Sequence, residues 1–453
     1  MRTIREPREN VAKIWGVQKK QDDKRYRLMR YLLRVNVEGG VLLHNVVTGH
    51  LVLLDAQEAA ILDSLPAEWS DGLRELFEAH FLVPEDYDEH KAVLKLKSLL
   101  KLTNTKKDIT GYTILPTTNC NARCFYCYEA GIEHFNMSEE TADKVVDFIA
   151  DHCGEAKKVS ICWFGGEPTL GWKRIDRICR GLAAKEIEYS ASMISNGYLF
   201  DGEMTKKARE LWKLGMIQIT LDGTEEVYNR VKSYVSSEGS AYQRVMGNIG
   251  LLLEQDIRVS VRMNLDRHNS DDLALLVEEL RKRFAGQKNF SAYVWPLFDD
   301  CGYKPVQHEE EDHLWLTQRQ NELNDILRSA GMYREREQSL PCITENHCMA
   351  DNKASLLINA NGDFAKCEHT FATDTVGNLR EGITNPKRIA QWQETVEYPE
   401  CADCCLFPSC HELKHCFSTR DCPRETRERK KQSYERVAVE AYEKKTTEAV
   451  SIE

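Results

Sequence analysis

Thr118-Asn-Cys-Asn-Ala-Arg-Cys-Phe-Tyr-Cys-Tyr128 places three cysteines, Cys120, Cys124 and Cys127, in one short loop. The loop follows Tyr112 to Pro116, a run rich in aromatic and branched residues that reads as a strand. A four-iron cluster is ordinarily held by four cysteine thiolates, so a loop offering three leaves one iron open to chelate another molecule. The same thiols also suit a zinc site completed by a distant ligand, or three cysteines with no common task. What surrounds the loop bears on the choice.

From Gly111 to Pro296 one unit recurs six times: a short β-rich run, a loop, and a longer amphipathic stretch. The strand candidates are Tyr112 to Pro116, Val159 to Phe164, Ser190 to Ser195, Ile217 to Asp222, Ile257 to Asn264 and Phe290 to Pro296. Between them lie helical stretches such as Ser138 to His152, with an N-cap-like serine, and Asp271 to Phe284. Strict alternation of strand and helix implies a parallel sheet, and six units predict an α/β fold built as a partial (β/α)6 barrel. Active sites of such barrels form at the C-terminal ends of the strands. The three cysteines follow the first strand, Gly165-Gly166-Glu167-Pro168 the second, Ser195-Asn196-Gly197 closes the third and Leu221-Asp222-Gly223 the fourth. All fall on one rim.

The x3 then x2 cysteine spacing, with Tyr126 before the last cysteine, resembles the signature of the radical S-adenosylmethionine (SAM) enzymes. That resemblance implies a TIM-like radical SAM barrel whose open iron takes the amino and carboxylate groups of SAM, yielding a 5′-deoxyadenosyl radical after one-electron cleavage. It assigns cofactor contacts to Gly165, Gly166, Glu167 and Pro168 near the methionine amino group, to Ser195 and Asn196 near the ribose, and to Tyr126. Arg262, on the fifth strand, is a candidate for the SAM carboxylate because a guanidinium matches a carboxylate in a fork; a barrel-wall salt bridge is the plainer reading. Asp222 has no assigned role beyond shaping its turn.

Eight further cysteines, Cys342, Cys348, Cys367, Cys401, Cys404, Cys410, Cys416 and Cys422, crowd the region after Leu340. Eight would complete two four-iron clusters, although Cys401-x2-Cys404 alone is also a zinc spacing. The pattern resembles the SPASM extension of radical SAM enzymes. By that resemblance Cys342, Cys348, Cys367 and Cys416 hold one auxiliary 4Fe-4S cluster, and Cys401, Cys404, Cys410 and Cys422 the other. Five residues separate Cys410 from Cys416 where the family more often has three, and Cys405 beside Cys404 is an alternative ligand. Glu368 follows Cys367 where the similar anaerobic sulfatase-maturing enzymes carry an aspartate, which makes it a candidate catalytic base, with His369 a weaker one. Cys153, Cys162, Cys179, Cys301 and Cys405 read as small buried hydrophobes.

Residues 1–89 read as a winged-helix-like domain. Tyr31 to Leu54 looks like three short strands turning at Gly39-Gly40 and Thr48-Gly49, followed by helical stretches Gln57 to Leu65 and Asp71 to Phe81. The pattern resembles the peptide-recognition modules fused to radical SAM peptide maturases, and a structural cap on the barrel is the alternative. Residues 90–107 read as a linker helix, 108–310 as the barrel, 311–424 as the cysteine-rich SPASM domain and 425–453 as a charged helix or tail. A chain of 453 residues fits two or three domains.

The net charge of -11 argues against a general nucleic-acid binder, and no apolar run reaches bilayer length. With no apolar h-region at the start of the sequence, a cytoplasmic location is expected, and there sixteen cysteines point to metal ligation or redox chemistry rather than disulfides. The whole pattern resembles a radical SAM/SPASM maturase of ribosomally made peptides, carrying three 4Fe-4S clusters and SAM. Its expected partners are a precursor peptide whose leader binds the N-terminal domain, and an electron donor such as flavodoxin or ferredoxin; neither membrane nor nucleic acid is expected. The expected chemistry is an oxidative crosslink, favoured as a thioether from a substrate cysteine. A carbon-carbon crosslink, formylglycine formation in a sulfatase, and a non-enzymatic electron carrier are the competing readings.

Overall fold

The computed structural model describes residues 1–15, 24–103, 108–297, 310–334, 340–344, 348–394, 397–410, 414–416, 422 and 424–450. They form two compact units, each assembled from separated stretches of chain. One gathers residues 1–105, 336–348 and 392–453; the other gathers 106–335 and 349–391. The segment 311–424, expected as one domain, is thus divided between the two.

In the first unit the strands β1 (Arg2–Arg5), β2 (Arg25–Leu28), β3 (Leu32–Val37), β4 (Gly40–Asn45), β5 (Leu51–Leu54), β6 (Ala67–Glu68) and β7 (Leu82–Pro84) make two antiparallel sheets, ordered β1-β5-β4-β3 and β6-β2-β7. The expected three-stranded meander is β3 to β5. Gly40 is required at its first turn, because a Cβ there would sit 1.9 Å from the Leu54 carbonyl oxygen. Helices α1 (Glu9–Trp15), α2 (Ala56–Asp63), α3 (Arg74–Glu78) and α4 (Glu89–Thr103) accompany the sheets. A capping box starts α2: Asp55 accepts from Gln57 and Glu58 N–H, and the Glu58 side chain returns to the Asp55 N–H.

The expected linker helix is α4, and it is no bare linker. Val93, Leu96 and Leu100, spaced for one helical face, are buried in a core with Trp15, Tyr31, Ile343 and Phe407. The expected 104–107 end of the linker lies outside the described residues. The charged C-terminal stretch is a helix, Arg424–Val450, whose Val437 and Ala438 pack with Ile4, Leu42 and Leu51.

The second unit is built on six parallel strands, β8 (Gly111–Ile114), β9 (Lys158–Trp163), β10 (Glu188–Ser195), β11 (Leu214–Leu221), β12 (Arg258–Leu265) and β13 (Phe290–Pro296), paired in chain order. Helices α5 (Glu139–His152), α6 (Trp172–Ala184), α7 (Gly202–Glu210), α8 (Glu225–Lys232), α9 (Ala241–Glu254) and α10 (Ser270–Phe284) lie between consecutive strands, and α11 (Glu310–Ser329) follows β13. In α5 the Ser138 hydroxyl caps the Thr141 N–H, and Ala142, Val145, Val146 and Ile149 form the buried face. Each fully buried Val or Ile contributes about 1.5–3 kcal/mol.

A strand the periodicity does not announce, β14 (Ser355–Ile358), adds in parallel to the free edge of β8, and β15 (Asp363–Ala365), β16 (Thr375–Asn378) and β17 (Gly382–Ile383) continue the sheet antiparallel. The Cys367 segment therefore hangs on the edge of the parallel sheet. Among the described residues no helix is long and apolar enough to cross a membrane.

Candidate cluster and cofactor site

Backbone bonds from two sides hold the cysteine loop. The Arg123 N–H donates to the Lys232 carbonyl at 2.8 Å, the Val235 N–H to the Asn121 carbonyl at 2.9 Å, and the Cys127 N–H to the Cys124 carbonyl at 3.2 Å. All three thiols are free of disulfides, and the Cys120 sulfur accepts the Ala122 N–H at 3.4 Å. Burial, with the nearby Glu167, pushes Cys120 up to about 12, and burial pushes Cys127 up to about 11; burial also raises Cys124, against the Lys232 ammonium. Buried thiols of this kind become thiolates only against a cation, which a bound metal supplies.

Three buried polar atoms in or beside the loop have no hydrogen-bond partner among the described residues: Asn121 Nδ2, Tyr128 Oη and Glu129 Oε2. Such atoms call for a partner. Among the described residues no three His, Cys, Asp or Glu side chains converge as on a mononuclear ion; a cubane, whose thiolates bind separate irons, needs no such convergence. The donor set fits an iron-sulfur cluster.

The glycines after β9 serve the same loop. A Cβ on Gly165 would lie 2.3 Å from the Thr117 carbonyl oxygen, and one on Gly166 would lie 2.5 Å from that of Asn119. The backbone these glycines admit is therefore the cysteine loop itself, and the Glu167 N–H donates to the Asn119 carbonyl at 2.8 Å. Glu167 is fully buried, and its carboxylate accepts from Thr169 N–H, the Thr169 hydroxyl, the Ser195 hydroxyl at 2.9 Å and the Asn196 N–H at 2.7 Å. This side chain, expected as an acceptor for the methionine amino group, ties the β9 rim to the β10 rim. Pro168, also buried, opens the short turn after it.

Ser195 and Asn196 share in that tie, since the Asn196 amide donates to Asn121 Oδ1 at 2.7 Å, next to Cys120. The rim motifs thus converge as the spacing predicts, bonded chiefly to one another.

Beneath the loop lies an ion pair that the sequence reading misses. Lys232 Nζ stands 2.9 Å from Asp222 Oδ2, with side chains 4% and 1% exposed. Tyr126 donates its hydroxyl to the Asp222 carboxylate at 2.9 Å and receives Lys232 Nζ at 2.9 Å, and Asn264 Nδ2 donates to Asp222 Oδ1 at 3.0 Å. Burial opposes the Lys232 charge, but Asp222 and Cys124 hold its affinity for a proton well above the usual lysine range. Asp222 does more than shape a turn, and the hydroxyl of Tyr126, expected among the cofactor contacts, bonds Asp222 and Lys232. Lys232 closes a short helix, where a lysine is ordinarily read as solvated and favoured by the helix dipole.

Arg262 donates Nε to Asn264 Oδ1 at 2.9 Å, tying it to the same network.

The turn after β15 reaches this site from the sheet edge. The His369 and Tyr128 rings lie 4.3 Å apart between centroids, and Tyr128 packs with Leu115, Phe164 and Phe371. Burial and the Arg262 charge push His369 down to about 4. Glu368, half-buried, acts electrostatically on both Tyr128 and Cys162. Cys162 alternates in β9 with the helix-covered Ile161 and Trp163, so its own side chain lies on the opposite, interior face of the sheet. Cys162 is thus half-buried rather than core, as is Cys405, whereas Cys153 and Cys179 are buried as expected; Cys301 lies outside the described residues.

Of the remaining cysteines, Cys367 is buried in the second unit. The other seven lie in the first. There burial, and after it the Cys410 thiol among other groups, raises Cys401, Cys404 and Cys422. Cys342 lies 3.2 Å, Cβ to Cβ, from the position a side chain on Gly49 would take, and its sulfur is 3.8 Å from Arg8 Nη1. Cys348 is exposed and Cys416 half-buried.

Residues 114–280 match the Radical SAM superfamily. Fe-coproporphyrin III synthase of Methanosarcina barkeri is 27% identical over 254 residues, 55% of this chain and 58% of that protein. The cysteine-type anaerobic sulfatase-maturating enzyme of Clostridium novyi is 24% identical over 216 residues, 44% of this chain and 52% of that protein. The chain spans little more than half the length of these two curated relatives. A solved structure of Streptococcus suis SuiB bound to precursor peptide SuiA has the same fold, with a TM-score of 0.51 and 13% identity over 86% of this chain and 95% of that one. Residues 114–280, with their three-cysteine loop on the rim of a parallel sheet, are a radical SAM domain, and a domain of this kind implies a 4Fe-4S cluster and SAM.

Proposed function

We propose that this chain is a radical SAM enzyme that installs an oxidative crosslink in a ribosomally made peptide, favoured as a thioether from a substrate cysteine. The observation that carries the reading is the meeting, within one unit, of the cysteine loop with the Cys367–His369 turn through Tyr128 and His369. A cluster loop alone would serve many reactions. Glu368, carried on that turn, would add a proton acceptor for a substrate. The sulfatase-maturating relative and the peptide-bound SuiB structure make a peptide or protein the favoured substrate class.

In this reading Cys120, Cys124 and Cys127 hold the cluster, which with SAM supplies one-electron cleavage to a 5′-deoxyadenosyl radical. The segment Gly165 to Pro168 sets the loop's backbone, and Ser195 and Asn196 fix its far side. Arg262 offers its guanidinium to the SAM carboxylate. Joining a thiol sulfur to a carbon in place of its hydrogen removes two electrons from the substrate: one leaves with the hydrogen atom, and the thiol proton and a second electron must each find an acceptor. Glu368 takes the proton. Cys342, Cys348, Cys367 and Cys416, and Cys401, Cys404, Cys410 and Cys422, would hold two auxiliary 4Fe-4S clusters as electron acceptors.

Residues 1–89 would bind the leader of the precursor, and a flavodoxin or ferredoxin in the cytoplasm would deliver the reducing electron. Co-expression with a small cysteine-rich peptide encoded beside the gene should yield a species lighter by two hydrogens per crosslink, with the joined cysteine closed to iodoacetamide. A peptide lighter by two hydrogens yet fully alkylated would instead mark a carbon-carbon bond, and a cysteine converted to an aldehyde would mark the sulfatase-type reaction.

A further inference from the structure

Lys97 lies on α4 in the first unit, 4% exposed, and its Nζ has no hydrogen-bond partner among the described residues. An unpaired ammonium in a protein interior is costly and calls for an anion. Its surroundings name one. Nζ sits 4.7 Å from the centroid of the Phe407 ring, and Phe407 lies between Cys404 and Cys410 in a succession of tight turns: Cys404 N–H to the Cys401 carbonyl, Phe407 N–H to that of Cys404, and Cys410 N–H to that of Phe407. Cys401 and Cys404 pack against the core that holds Leu96, Leu100 and Phe407. The groups acting on its charge are the Cys410 thiol, the Lys101 ammonium, the Cys401 thiol and the Glu397 carboxylate, with the thiols the nearer claim because Phe407, under Nζ, lies between Cys404 and Cys410. The α4 face carrying Val93, Leu96 and Leu100 thus delivers the Lys97 ammonium to the cysteine turns.

We infer that Lys97 is a positioning residue for the iron-sulfur cluster of Cys401, Cys404, Cys410 and Cys422, donating a hydrogen bond and a buried positive charge to its sulfur shell so that this cluster accepts an electron more readily. The inference rests on the auxiliary-cluster reading of those four cysteines. Net charge and hydrogen bonds to the sulfurs are among the factors that set the potential of such clusters, and a buried ammonium contributes both. A lysine kept only for packing its stem on Phe407 would leave the potential unmoved.

The test is a reductive titration of anaerobically reconstituted full-length protein followed by electron paramagnetic resonance, reading the signal that a Cys404→Ala variant loses. Lys97→Met keeps the length and apolar packing while removing the charge, and Lys97→Arg keeps the charge. With iron content unchanged, Lys97→Met should make that signal harder to reduce by at least tenfold in the reduced-to-oxidised ratio at fixed potential, about 59 mV for one electron. Lys97→Arg should stay near wild type.

Removing an unpaired buried charge should not weaken the apo fold, so urea unfolding of metal-free Lys97→Met should show equal or greater stability. An unchanged midpoint in a fully loaded Lys97→Met protein would overturn the role of Lys97 alone. Iron content that does not fall in Cys404→Ala would overturn both the cluster assignment and the inference built on it.

Discussion

The ring of Tyr128, one residue past Cys127, stands 4.3 Å from the imidazole of His369, two residues past Cys367. A loop at one end of the domain and a turn on its added sheet edge thereby meet, with Glu368 between Cys367 and His369 in the chain. If Glu368 is the proton acceptor, Glu368→Gln should leave the release of 5′-deoxyadenosine intact and lower crosslinked product by about 100-fold or more. Both products can be followed in one assay by liquid chromatography and mass spectrometry. Equal loss of both would make Glu368 a structural residue.

The Lys232–Asp222 pair predicts a stability effect separable from catalysis. Lys232→Met leaves the Asp222 carboxylate buried and unpaired, which should cost about 3–5 kcal/mol in urea unfolding of the metal-free protein. Replacing both, as Asp222→Asn with Lys232→Met, should recover part of that loss. A single variant as stable as wild type would show the pair to be solvated.

Gly166 tests whether the motif after β9 acts through the cysteine loop. Its Cβ would lie 2.5 and 2.6 Å from the carbonyl oxygens of Asn119 and Thr118, so Gly166→Ala must displace backbone beside Cys120. Iron bound by the loop should fall while the circular dichroism spectrum is kept. Gly215→Ala is the control, because its nearest neighbour would be 3.8 Å away. Full iron in Gly166→Ala would show that the loop yields.

The six strands and the rim were legible in the sequence because β-branched and aromatic runs recur with helical stretches between them, and Ser138 and Asp271 mark helix starts that the structure places within a residue or so. The β14 strand was not, since four residues, Ser355–Ile358, carry too little periodicity and are made a strand by pairing with the distant β8. The lysines of α4 suggested a solvated linker, although Val93, Leu96 and Leu100 already spelled a buried face. Lys232 gave no signal, because burial of one lysine depends on an aspartate brought near only by the fold. The split of the eight later cysteines between two units was equally beyond their spacing.

Whether Cys120, Cys124 and Cys127 hold a cluster that cleaves SAM is decided by measuring 5′-deoxyadenosine from anaerobically reconstituted, dithionite-reduced protein supplied with SAM. The wild type should release 5′-deoxyadenosine and hold about twelve irons, four for each of three clusters, whereas the triple Cys→Ala variant should hold about eight and release none. A triple variant that still cleaves SAM, or a wild type that binds zinc in place of iron and cleaves none, would contradict the account.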